Sequence, residues 1–222
     1  MSFKQKGYQI IRQAISKELA NFCHNYFLLK RKVAKKLFDE KHISPFATYF
    51  GTFIDPQVPN SYAHYADTVM ETLLLEVKEK MEKETNLKLI PTYSYARVYV
   101  KGNCLARHKD RPSCEISTTM NLGGDLWPIY IDPTGEDNVT HISASEVTVK
   151  EGADSGIKVD LNPGDMLIYK GYDLEHWRGV FQGEISTQVF LHYNDVNSEW
   201  SNDNKFDGRE FVGLPDFLKS KV

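Results

Sequence analysis

The feature that most constrains this chain is a change of period near residue 90. Before it, apolar residues recur at steps of three and four. After it they alternate, in short runs broken by Gly and Pro. In 92–100 the residues Tyr93, Tyr95, Arg97 and Tyr99 share one face of an extended chain, and Ser94, Ala96, Val98 and Val100 share the other, because successive strand side chains point to opposite faces. Further strands are predicted at 115–122, 128–131, 141–149, 156–161, 166–169 and 187–193. Many short strands at regular spacing define a sandwich or a barrel.

The first part reads as helical. A short strand is predicted at 7–12, and Ser16 offers an N-cap. From 17 to about 41, Leu19, Phe22, Cys23, Tyr26, Phe27, Val33, Leu37 and Phe38 follow a helical period. The basic run Lys30-Arg31-Lys32 with Lys35-Lys36 is read as the solvated face of that helix. Segment 44–60 holds three prolines and is predicted to be irregular. A second amphipathic helix is predicted over 61–85, with Tyr62, Tyr65, Val69, Leu73 and Val77 on one face. After Asn194 the chain is polar, then carries Phe211, Val212, Leu214 and Phe217, which are expected to pack on the outside.

A length of 222 residues fits one domain over 1–222: a helical support region at about 1–90, a β core at about 91–196 and a tail at 197–222. The formal charge of −3 provides no strong field to hold nucleic acid or an anionic membrane. The start has no apolar signal core, and no apolar run spans a bilayer. Cys23, Cys104 and Cys114 are odd in number and lack CxxC spacing, so a disulfide framework is not expected and a cytoplasmic location is. Without a secretion signal, Asn138-Val139-Thr140 is read as a chance match to a glycosylation acceptor.

The chemistry concentrates at Leu105-Ala-Arg-His-Lys-Asp110. On an extended backbone His108 and Asp110 leave the same face, and an imidazole beside a carboxylate can hold one metal ion. A third ligand must come from elsewhere. Asn162-Pro-Gly-Asp165 is a turn that leads into a strand, and His176 follows that strand. Two histidines and one carboxylate on one face of a metal leave three positions open, the facial triad of non-haem Fe(II) oxygenases. His24, His42, His64 and His141 lack such a partner and are read as structural; His192, on a late strand, is placed to approach the site. Cys104 and Cys114 flank the metal segment without a ligand role, since a Cys-bound metal favours paired spacing.

With these residues, the chain resembles the 2-oxoglutarate- and Fe(II)-dependent oxygenase superfamily, and within it the prolyl-4-hydroxylase-like branch. The matching pieces are Tyr99-x-x-Gly102, His108-x-Asp110, Ile116-Ser-Thr-Thr-Met-Asn-Leu122, Pro163-Gly164-Asp165 and His176. They span about 92–193; the first 90 residues match in general layout. The resemblance implies an α+β fold with a mainly β core: a double-stranded β-helix (a cupin-like jelly roll) with the N-terminal helices packed on one side. It implies Fe(II), 2-oxoglutarate and O₂, with ascorbate as a reductant. It also implies hydroxylation of a C–H bond on a small molecule or a peptide or protein, prolyl and other peptidyl residues included. His108, Asp110 and His176 would be both the metal ligands and the catalytic centre.

The far carboxylate of 2-oxoglutarate needs a cation, preferably an Arg fork. The family often carries this residue on the strand after the distal histidine. Here Ser186, Thr187 and Gln188 stand there. Arg178 is the expected anchor, with Tyr99 donating a hydrogen bond to the cosubstrate; Arg97 is the runner-up. Arg111 is assigned equally to substrate or to a loop contact, and Trp127, Trp177 and Tyr130 are candidate cleft residues or core packing. Two other readings fit the pattern: a cupin-like metal enzyme that does not use 2-oxoglutarate, and a non-catalytic jelly-roll binding module. The oligomeric state is left open.

Overall fold

The computed structural model describes residues 2–219. The helices are α1 (Phe3–Lys6), α2 (Lys17–Asp39), α3 (Thr68–Glu76) and α4 (Lys78–Thr85). The strands are β1 (Tyr8–Ile11), β2 (Tyr62–Tyr65), β3 (Leu89–Val100), β4 (Leu105–His108), β5 (Ile116–Gly124), β6 (Ile129–Ile131), β7 (Val139–His141), β8 (Val147–Val149), β9 (Ile157–Val159), β10 (Met166–Lys170), β11 (His176–Arg178) and β12 (Ile185–Asp195).

Two antiparallel sheets form the double-stranded β-helix. The larger runs β1-β10-β5-β12-β3-β2 and the smaller β4-β11-β6-β9. Alternation sorts the larger sheet's residues. Ala96 and Val98 on β3, Ile116, Met120 and Leu122 on β5, Met166 and Ile168 on β10, and Val189, Leu191 and Tyr193 on β12 join one core cluster with the helices. The alternate residues face the smaller sheet. There Tyr99, Leu105, Trp127, Phe181 and Phe190 form one inner cluster, and Ile129, Ile131, Val159, Leu167 and Tyr169 another. The face predicted for Tyr93, Tyr95, Arg97 and Tyr99 is therefore the inside of the β-helix.

The helices cover the outer face of the larger sheet. Ser16 caps α2 by accepting from the Leu19 amide at 3.2 Å, as expected from its residue type. Ala20, Cys23, Phe27 and Ala34 then face the sheet, and α2 packs on β5 while α3 packs on β3.

Several predicted elements differ. The segment read as one helix over 61–85 begins with β2, which pairs with β3 in the register Tyr62↔Val98 to Tyr65↔Tyr95. Asp67 then caps α3, accepting from the Val69 and Met70 amides at 3.0 and 3.2 Å. The steps from Tyr62 to Tyr65 and Val69 are helical in period, but pairing to the sheet edge satisfies the backbone of the buried Tyr62 and Ala63. The predicted strand 141–149 is two short strands, β7 and β8, paired as a hairpin apart from the main sheets. β11 had no predicted counterpart. In the tail Val212 packs on the main core, whereas Phe211 and Phe217 remain exposed.

Candidate active site

β4 and β11 pair so that His108 and His176 are directly opposite, with ring centroids 4.3 Å apart. His108 Nδ1 lies 2.7 Å from the Ala106 carbonyl and His176 Nδ1 lies 3.0 Å from the Leu174 carbonyl. A carbonyl only accepts, so each Nδ1 carries the proton and each Nε2 keeps a free lone pair. Both Nε2 atoms face Asp110 Oδ1, at 3.6 Å from His108 and 3.5 Å from His176. Asp110 is held two residues beyond β4 by its amide, which donates to the Gly171 carbonyl at 2.8 Å. The ligand atoms of all three residues lie within 4.8 Å of one another. This is a donor set that one divalent ion can bridge.

Electrostatics point the same way. Burial, reinforced by the nearby His176, pulls the His108 imidazole down to about 4, so it is a neutral ligand at neutral pH. Burial acts to raise the Asp110 carboxyl, but His176 and His108 outweigh it and hold it below the usual carboxylate range.

The three residues open onto a cavity of about 410 Å³. Its walls include Tyr93, Tyr95, Leu105, Tyr169, Phe190 and His192. Two residues come from the irregular 44–60 segment: Gln57 Nε2 is 3.5 Å from His108 Nε2, and Asp55 pairs with Arg97 and accepts from the Tyr95 hydroxyl. Sequence reasoning missed both. The one local signal was the pair of polar residues flanking Pro56, which does not by itself say where the segment folds back.

The two candidate cosubstrate arginines differ in environment. Arg97 lines the cavity and is neutralised by Asp55, with Tyr99 Oη 3.4 Å from its Nη1. Arg178 lies deeper and is not part of the cavity wall. It reaches from β11 to the larger sheet, donating to the Trp127 carbonyl, to Thr119 Oγ1 at 3.0 Å and to Gln188 Oε1 at 3.3 Å. Its guanidinium thus touches side chains of both β5 and β12 in the larger sheet. Among the described residues Arg178 has no carboxylate partner, and its buried Nε has no hydrogen bond. Burial lowers its pKa to about 10, so it remains a cation that lacks a counter-ion.

Other expected site residues fall elsewhere. Trp127 packs inside the β-helix against Tyr99 and Phe181. Trp177 and Tyr130 stack on each other, centroids 5.7 Å apart, with the Arg107 guanidinium over Trp177. None of the three lines the cavity. Arg111 does: it lies over the Tyr93 ring and pairs with Asp207 at 3.0 Å.

The sequence matches no protein-family model and no curated relative. Solved structures do match in fold. HygX from Streptomyces hygroscopicus, with nickel and 2-oxoglutarate bound, aligns over 88% of this chain and 85% of its own at 14% identity and a TM-score of 0.58. A prolyl-4-hydroxylase from Pseudomonas putida aligns over 87% and 95% at 10% identity and a TM-score of 0.53. An oxidoreductase of the 2OG-Fe(II) oxygenase family from Burkholderia pseudomallei aligns over 93% and 91% at 11% identity and a TM-score of 0.53. The shared feature is the double-stranded β-helix with its helical cover.

Proposed function

We propose that the chain is an Fe(II)- and 2-oxoglutarate-dependent oxygenase, acting as one domain. The observation that carries this reading is the convergence of His108 Nε2, His176 Nε2 and Asp110 Oδ1 at the cavity floor, with both Nδ1 protons already committed to carbonyls. Two neutral nitrogens and one anionic oxygen suit Fe(II) and leave positions open. Held by His108, Asp110 and His176, Fe(II) with 2-oxoglutarate and O₂ would supply the oxidising chemistry, in which one oxygen atom of O₂ goes to succinate as CO₂ is lost and the other to a substrate C–H bond.

The chain's own residues orient and shield. Arg178 fits the far carboxylate of 2-oxoglutarate, which would give the buried guanidinium the anion it lacks. Tyr99, fully buried nearby, fits as the hydroxyl donor. Leu105, Tyr169 and Phe190, which line the cavity beside the three ligand residues, would help to keep water from the metal. A substrate would enter past Tyr93, Tyr95, Lys109 and Arg111. HygX also exists with hygromycin B bound, and a Trichoplax adhaerens prolyl hydroxylase with a peptide fragment of hypoxia inducible factor. Both a small molecule and a peptidyl residue therefore belong in a substrate screen. The described cysteines are unpaired, which fits the cytoplasmic location suggested by their number and spacing; no described helix is long and apolar enough to cross a membrane.

The test is anaerobic addition of 2-oxoglutarate to the Fe(II)-loaded protein. A visible metal-to-ligand charge-transfer band that is absent in His108→Ala is the expected result. Fe(II) binding with no band in the wild type would refute the use of 2-oxoglutarate.

A further inference from the structure

Asp110 presents Oδ1 to the two imidazoles, and its other oxygen is also held. Ser117 Oγ lies 2.9 Å from Asp110 Oδ2. Ser117 is fully buried on β5, directly opposite His192 on β12. His192 Nδ1 is 2.9 Å from the same hydroxyl, and the Cys114 carbonyl is also at 2.9 Å. A serine hydroxyl has one proton and two lone pairs, whereas an ionised carboxylate only accepts. One arrangement leaves no acceptor facing an acceptor. His192 Nδ1–H donates to Ser117 Oγ, and the Ser117 proton points to Asp110 Oδ2, with the Cys114 carbonyl beside it as second acceptor. Gly171 closes the far side: a Cβ there would lie 2.6 Å from Ser117 Oγ and 2.5 Å from the Cys114 carbonyl.

From this geometry we propose that Ser117, backed by His192, is a positioning residue that reserves Asp110 Oδ2, so the carboxylate offers the metal one oxygen and not two. The proposal rests on the reading of His108, Asp110 and His176 as metal ligands. A carboxylate free to bind through both oxygens occupies a position that 2-oxoglutarate needs for chelation. Loss of Ser117 therefore weakens cosubstrate binding more than metal binding.

Four proteins test this: wild type, Ser117→Ala, His192→Phe and His108→Ala. Each is titrated with Co(II), followed by its visible ligand-field absorption, and then anaerobically with 2-oxoglutarate in the presence of Fe(II), followed by the charge-transfer band. Ser117→Ala is expected to bind Co(II) with an altered ligand-field spectrum and to need roughly tenfold or more 2-oxoglutarate for half-saturation, within the range seen when a ligand's outer hydrogen-bond partner is lost. His192→Phe retains a ring on Tyr93, where the imidazole packs at 4.6 Å between centroids, but has no donor; it should shift both readouts in the same direction by less. A Ser117→Ala protein that melts like wild type and shows an unchanged spectrum and 2-oxoglutarate affinity overturns the proposal. If Ser117→Ala does not fold, unchanged readouts in His192→Phe overturn it. Equal Co(II) binding by wild type and His108→Ala defeats the ligand reading itself, and is seen before 2-oxoglutarate is added.

Discussion

Arg107 Nε donates to Glu175 Oε2 at 2.6 Å, and these two residues immediately precede His108 and His176. Alternation along β4 and β11 puts the charges on the outside of the smaller sheet and the imidazoles on the inside. Arg107 also pairs with Asp132, and Glu175 accepts from the Asn138 amide. The network is buried, so it fixes the strand pairing that brings the histidines together. Arg107→Ala leaves two carboxylates buried without their cation and is expected to destabilise the protein by about 3–5 kcal/mol. Urea denaturation measures this; a change within about 0.5 kcal/mol would show that the network is not needed for the pairing.

Arg178 and Arg97 make opposite predictions for cosubstrate binding. Among the described residues Arg178 has no carboxylate partner, whereas Arg97 already has Asp55. Losing a charge-assisted hydrogen bond costs about 1.5–3 kcal/mol, roughly ten- to hundredfold in affinity. Arg178→Met should raise half-saturating 2-oxoglutarate by that factor. The apo protein should lose little stability, since removing a buried cation that has no carboxylate partner among the described residues offsets the cost of leaving the Trp127 carbonyl, Thr119 Oγ1 and Gln188 Oε1 without their donor. Arg97→Met should instead lower apo stability by stranding Asp55. The reverse pattern in charge-transfer titrations and thermal melts would move the anchor to Arg97.

The strands were legible in sequence where local period and tertiary environment agree. In β3 alternation alone separated Tyr93, Tyr95, Arg97 and Tyr99 from the helix-facing residues. The spacing of His108, Asp110 and His176 was legible for the same reason, since β4 is extended and the Pro163-Gly164-Asp165 turn delivers the next strand. β2 was not, because Tyr62 and Tyr65 fit a helical stripe and only pairing with β3 decides otherwise. Asp67, the cap of α3, was the available signal for where the helix begins. Asp55, Gln57 and the Arg107–Glu175 pair were not legible either: their roles depend on contacts distant in sequence, and no local pattern encodes those.

Asp67 makes acid stability testable. Its carboxylate caps α3 and also accepts from Tyr26 Oη at 2.8 Å, His64 Nδ1 at 3.2 Å and Lys30. Burial acts to raise its pKa, but the His64 and Lys30 contacts outweigh that and hold it below the usual range. Burial also lowers the His64 imidazole, so at neutral pH the His64 contact is a neutral N–H donor, not an ion pair. A depressed carboxyl stabilises fully above its unfolded value of about 4 and loses that contribution as pH falls toward the folded value. The depressed His64 acts in the same sense, beginning below about 6.5. Wild-type stability should therefore fall with acid from about pH 6.5. Asp67→Asn should be less stable at neutral pH, by an amount that shrinks below about pH 4. A pH-independent difference in chemical denaturation would show that the Asp67 charge does not contribute.

Gly171 tests how closely the backbone must approach the site. Its carbonyl accepts from the Asp110 amide at 2.8 Å. A Cβ at this position would overlap Asp110 Oδ2 and lie 2.6 Å from Ser117 Oγ and 2.5 Å from the Cys114 carbonyl. Two of these three neighbours lie on packed backbone or a ligand, so the clash cannot be relieved by a flexible side-chain tip. Gly171→Ala should therefore displace the Asp110 carboxylate and weaken Co(II) binding by roughly tenfold or more, the scale expected when a metal ligand's support is lost. Overpacking should also cost about 1–3 kcal/mol of stability. Gly179→Ala is the control, because a Cβ there meets no atom of the described residues within 4 Å. Its Co(II) affinity should match wild type, so a loss in Gly171→Ala but not in Gly179→Ala would locate the effect at Asp110. Equal affinities in all three proteins would mean that Asp110 can move without consequence, and would count against it as a ligand.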